Sequence, residues 1–138
     1  MAIVSTKGAY GLTAMLVLAK EEDDEKLLQI KDIALMGDIP QNYLEQILVL
    51  LKKAALVESV RGANGGYRLR KSTSEISVFE ILNSLECCMI QTDNKSNSNM
   101  LESFWQDTQE KIKEIFSLSL KELEEFLQKD SENIIYHI

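Results

Sequence analysis

The chain has 138 residues, 45% of them hydrophobic and 27% charged, with a single proline; collagen-like, mucin-like and wholly disordered polymers are excluded, and a compact globular fold remains. At this length folding buries roughly two thirds of the unfolded surface, so one core, or two small lobes sharing one, can form without a metal or disulfide staple. The 22 acidic and 15 basic residues give a net charge of −7, which taken alone argues against a polyanionic partner.

The charge is unevenly placed. Residues 86–138 carry 11 acids and 5 bases, whereas residues 41–71 hold only Glu45 and Glu58 against Lys52, Lys53, Arg61, Arg68, Arg70 and Lys71, a local net of +4 in an acidic chain.

From residue 5 to 20, Ala9, Leu12, Met15, Leu16 and Ala19 recur with helical spacing, and Ala14, Val17 and Leu18 widen the stripe, so a largely buried first helix is expected. Gly8 and Gly11 near its start either admit another backbone closely or simply weaken the first turns. The longest apolar run, residues 14–19, is far short of the ~18–20 apolar residues of a membrane helix. Lys7 and the apolar stretch after it imitate a signal peptide, but Leu18-Ala19-Lys20-Glu21 offers no small-x-small cleavage site, and a cytoplasmic location is expected.

Leu28, Ile30, Ile33 and Ala34 mark a short second helix ending near Gly37, a residue suited to a left-handed turn. Asp38-Ile39-Pro40 starts a third, with Pro40 in the first turn, where no N–H is needed. Its stripe of Leu44, Ile47, Leu48 and Leu51 rotates Asn42, Gln46, Val49 and Lys53 to the opposite side. Residues 56–60 and 67–70 are strand-like and joined by Arg61-Gly62-Ala63-Asn64-Gly65-Gly66, a hairpin in which Asn-Gly-Gly supplies positive φ and Arg61 stands on a flexible tip. This order predicts a mainly α fold: a winged helix-turn-helix with a two-stranded wing hairpin.

Ser77 and Glu80 form a capping box for a helix through Val78, Ile81, Leu82 and Leu85, and a polar loop follows over residues 91–99. Leu101, Phe104, Trp105, Thr108, Ile112, Ile115 and Phe116 then trace a long amphipathic helix, and Ser119 with Glu122 caps a last one. The apolar bulk of Phe104, Trp105, Ile112 and Phe116 exceeds what a small lobe covers, so these residues are expected at a homodimer interface. The chain is divided at residue 86 into a winged helix-turn-helix, 1–86, and a region of polar loop and dimerisation helices, 87–138.

A helix bearing Asn42 and Gln46 suits the major groove of DNA, and Arg61 on a glycine-rich tip suits the minor groove, where the negative potential is enhanced. Winged helices also act as protein-interaction modules, here one docking on a partner enzyme through the acidic C-terminal part, and spacing alone does not separate the two. No nucleophile–base pair or ligand cluster marks an enzyme: the one histidine, His137, is at the tail, and Cys87 and Cys88 are adjacent.

Tyr43-Leu44-Glu45-Gln46, Ser59-Val60-Arg61-Gly62-Ala63-Asn64-Gly65-Gly66-Tyr67 and the opening Ser5-Thr6-Lys7-Gly8-Ala9-Tyr10 resemble the Rrf-two family of bacterial transcription regulators through about residue 126. The resemblance implies a dimer on a palindromic double-stranded DNA operator, repressing transcription, with Asn42, Tyr43, Glu45 and Gln46 in the major groove, Arg61 in the minor groove, and Thr6 and Lys7 near phosphates. Lys53, on the outward face of the same helix, joins this set. The chain departs from the family pattern at Gly37-Asp38-Ile39-Pro40, where the turn glycine comes one place early, and at Gln41-Asn42, so the operator does not carry over.

Iron–sulfur-binding members of the family carry three cysteines in the loop before the long helix, and residues 89–100 here contain none. No cofactor or metal is therefore expected. Cys87 and Cys88 are either redox-responsive thiols or buried fillers, and a regulatory partner protein is the other route for a signal.

Overall fold

Ser5 begins the first helix by accepting a hydrogen bond from the Gly8 N–H at 3.1 Å, the usual way a hydroxyl satisfies a free donor of the opening turn. The computed structural model describes residues 3–21, 26–86 and 99–136. Cys87, Cys88, the polar loop over 91–98 and His137 lie outside them. In order the elements are α1 (Thr6–Lys20), α2 (Ile30–Gly37), α3 (Gln41–Lys53), β1 (Val57–Val60), β2 (Gly66–Leu69), α4 (Val78–Leu85), α5 (Asn99–Ile115) and α6 (Leu120–Tyr136). The fold is a mainly α winged helix-turn-helix followed by two long helices.

α1 is the central element, with Ala14, Met15, Val17, Leu18 and Ala19 all buried, and α2, α3, α4 and the start of α6 pack around it. Gly11 admits a side chain and not a backbone: a Cβ there would lie 2.0 Å from Leu85 Cδ1 of α4.

The helix-turn-helix corner differs in detail from expectation. Gly37 is the last residue of α2, and the left-handed position is Asp38, at φ 52°. Aspartate tolerates that region better than most residues. The Ile39 N–H then reaches back to the Ala34 carbonyl at 2.9 Å, and Pro40, the N-cap residue of α3, supplies a carbonyl to the Leu44 N–H at 2.9 Å. Leu44, Ile47, Leu48 and Leu51 are all at most 1% exposed. Fully burying each is worth roughly 1.5–3 kcal/mol over leaving it in water, which fixes the rotation of α3 about its axis.

β1 and β2 pair antiparallel with Val57 opposite Leu69, Glu58 opposite Arg68, Ser59 opposite Tyr67 and Val60 opposite Gly66. Leu28, expected on the second helix, instead bridges to Tyr67 through two backbone bonds of 3.0 and 2.7 Å. This isolated bridge anchors the wing to the chain entering α2. At the tip the positive φ values belong to Gly62 (120°) and Gly66 (154°) and not to Asn64 or Gly65.

The Ser77–Glu80 capping box forms as expected, with bonds of 3.0 and 3.3 Å. The segment leading into α6 pairs with the one leading into α4: Val78 N–H bonds the Leu118 carbonyl at 2.9 Å, and Leu120 N–H bonds that of Ile76 at 2.8 Å. Leu120 is fully buried in the same core as α1 and α3. The C-terminal helices are thus tied to the head by backbone as well as by packing.

Candidate nucleic-acid interface

Once the core face of α3 is buried, its other face is presented to solvent. Gln41, Asn42, Glu45, Gln46, Val49 and Lys53 are all exposed there. Tyr43 is half-buried, its ring set edge-on against Tyr10 at 5.5 Å between centroids, so it holds α3 against α1 and presents less of itself to a partner than its neighbours do.

Arg61 is exposed at the first position of the wing tip, and Gly62, whose φ only glycine readily adopts, follows it. The wing is braced twice. Arg68 pairs with Glu58 directly across the two strands, and the Lys52 ammonium at the end of α3 donates to Ser59 Oγ on β1 at 2.7 Å. α3 and the wing are therefore joined by a side-chain bond.

Between them lies an open groove of about 610 Å³, lined among others by Gln29, Lys31, Gln41, Lys52, Ser59 and Arg61, with no carboxylate on its walls. Of the residues expected at the interface only Arg61 lines it. Thr6 and Lys7 do not; they stand on the first turn of α1. Lys31 and Lys52 do line the groove, and sequence spacing does not reveal this because it does not show which residues of α2, α3 and the wing meet. The basic excess over residues 41–71 was the available signal for Lys52.

On α5, and at Phe116 just after it, the expected interface residues divide. Phe104 is 58% exposed, while Trp105, Ile112 and Phe116 are half-buried. Phe104 and Trp105 stack edge-on at 5.1 Å. Met100, Leu101 and Ile115 on α5, and Phe126 and Leu127 on α6, add to the exposed apolar surface. Also on α5, Lys111 bonds Asp107 one turn earlier at 2.8 Å, and this hydrogen bond holds the ammonium pKa above its ordinary value.

Among the described residues no three His, Cys, Asp or Glu side chains gather as a metal-binding group, and no helix is long and apolar enough to cross a membrane.

The family model Rrf2, described as an iron-dependent transcriptional regulator, matches residues 4–131. The HTH-type transcriptional regulator CymR of Bacillus subtilis (strain 168) is 32% identical over 137 residues, covering 98% of this chain and 99% of its own. The HTH-type transcriptional regulator IscR of Photorhabdus laumondii is 34% identical over 128 residues, covering 87% and 77%. Among solved structures, CymR (YrzC) of B. subtilis superposes with a TM-score of 0.75 at 33% identity over 91% of this chain and 98% of that one. T. potens IscR gives 0.70 at 33% identity over 95% and 89%.

This chain's cysteines do not form the donor set that an iron–sulfur cluster calls for. Its only two cysteines are adjacent and residues 89–100 contribute none, while a cluster needs about three or four thiolate or imidazole ligands converging from separate positions. The residues present do not fit the group.

Proposed function

Because the chain belongs to the Rrf2 family and is a DNA-binding transcription regulator, we propose that it acts as a homodimeric repressor. The α3 helix of each protomer enters a major groove of a palindromic operator and Arg61 the adjoining minor groove. The observation that carries this reading is the outward row of Asn42, Glu45 and Gln46 beside a cationic wing, all exposed, in a chain of net charge −7. Amides and carboxylates supply the hydrogen-bond complementarity that base edges require, and arginine suits the narrow minor groove. Lys53 belongs with phosphates, as do Thr6 and Lys7.

The exposed apolar edge of α5 supports pairing with a second copy, which sets two α3 helices at a fixed separation. DNA binding needs no iron–sulfur cluster on this reading, and any signal enters through Cys87 and Cys88 or through a partner protein.

The experiment is a gel-shift titration of Arg61→Ala on a duplex selected by the unmodified protein, paired with a thermal melt. Arg61 leaves an exposed tip, so affinity falls by about 1–3 kcal/mol and the melt is unchanged. Equal affinity with an equal melt removes the wing from the mechanism. A salt-independent affinity for DNA favours docking on a protein instead.

A further inference from the structure

We infer that the groove between α2, α3 and the wing is the seat of one sugar–phosphate strand of the operator, with Lys31 and Lys52 as its phosphate contacts. The inference rests on the reading just given and deepens it. In B-form DNA the major and minor grooves are separated by a phosphodiester strand, so a protein with α3 in one and Arg61 in the other must face that strand with whatever lies between them. What lies between them is this groove, about 610 Å³ and open to solvent.

Its lining has the chemistry of a phosphodiester site. Lys31, Lys52 and Arg61 bring three cations, Gln29, Gln41 and Ser59 bring neutral hydrogen-bonding groups, and no Asp or Glu is on its walls. In a chain with 22 carboxylates against 15 basic side chains, that segregation is the notable feature. Beside the lining residues, Asp32 accepts from the Gln29 N–H at 3.3 Å, and Glu58 pairs with Arg68 across the wing. Lys52 is held over the groove by its 2.7 Å bond to Ser59. That bond uses one of three ammonium donors and leaves two for phosphate oxygens.

The test uses the full chain and a duplex selected from a random library by the unmodified protein. Affinities of Lys31→Gln, Lys52→Gln and Lys20→Gln are measured from 50 to 300 mM salt on the selected duplex and on a scrambled one. Lys20, exposed at the far end of α1, makes the same charge change outside the groove. Each groove variant is expected to make the slope of log affinity against log salt shallower by about one, to keep the ratio between selected and scrambled duplexes, and to melt like the parent; Lys20→Gln keeps the parental slope. Replacing single phosphates with neutral methylphosphonates should then reveal one position that weakens the parent but not Lys52→Gln. Unchanged slopes in both groove variants, or a loss of the selected-to-scrambled ratio with the slope intact, overturns the inference while leaving sequence-specific binding in place. Failure of the parent to select any duplex overturns the proposed function and this inference together.

Discussion

The Ser5 hydroxyl donates to Glu86 Oε1 at 2.6 Å, and the Ser5 N–H donates to the same oxygen at 3.0 Å. Ser5 caps α1 and Glu86 ends α4, so one carboxylate clamps the first turn of the DNA-binding head to the last turn before the C-terminal helices. Gly8 makes the approach possible, since a Cβ there would lie 2.2 Å from that carboxylate oxygen. Glu86→Ala should lower stability by about 1–2 kcal/mol, the scale of a charge-assisted hydrogen bond discounted for partial exposure. The double variant with Ser5→Ala should cost less than the sum of the single ones, because both remove the same contact. Thermal or urea denaturation of the four proteins measures this, and strict additivity contradicts the clamp.

Ala55 has φ 61°, a left-handed backbone conformation at the turn between α3 and β1, where Leu56 N–H bonds the Leu51 carbonyl at 3.0 Å. A non-glycine residue there costs roughly 1–2 kcal/mol. Ala55→Gly should therefore raise stability by about 0.5–1 kcal/mol, after subtracting glycine's greater entropy when unfolded. Chemical denaturation gives the sign directly, and DNA affinity should not change because the residue follows the end of α3 and does not line the groove.

The apolar stripe of α5 has a covered edge and an open one. At about 100° per residue, Trp105, Ile112 and Phe116 fall together and are half-buried, whereas Leu101, Phe104 and Ile115 fall on the adjoining edge and are 49%, 58% and 69% exposed. Phe104→Asp places a charge where a second copy would sit and removes little from the fold of one protomer. Sedimentation should show the parent as a dimer at micromolar concentration and the variant as a monomer with near-parental helicity. A monomeric parent contradicts the two-half-site arrangement.

Protein purified without oxygen should be colourless, contain no iron and still bind its selected duplex. Added peroxide should act through Cys87 and Cys88: a thiolate takes one oxygen to become a sulfenic acid and the rest of the peroxide leaves as hydroxide. A brown, iron-containing preparation contradicts the donor-set argument. A peroxide response that persists in the Cys87→Ser, Cys88→Ser double variant removes the thiols from the mechanism.

What could be read from the residues and what could not divides along the range of the interactions. The outward face of α3 and the Ser77–Glu80 box follow from spacing within one element, and the structure places both as expected. At the corner the left-handed residue is Asp38 and not Gly37, and both residue types tolerate the required φ, so local spacing does not choose between them. Leu28 has an apolar spacing with Ile30 and Ile33 that fits a helix. Its partner Tyr67 lies 39 residues away, and no local pattern reports such a pairing. Lys31 and Lys52 escaped for the same reason: their meaning comes from a groove that three separate elements build.

Selection of duplexes from a random library by the unmodified protein, repeated with Gln46→Ala, tests the central claim most directly. The account predicts that the parent enriches a palindrome whose half-sites are about one helical turn (~34–36 Å), or a multiple of it, apart. It predicts that Gln46→Ala relaxes the preference at one symmetric pair of positions and leaves the spacing unchanged. No enriched sequence, or an enriched sequence that Gln46→Ala selects with identical preference at every position, contradicts it.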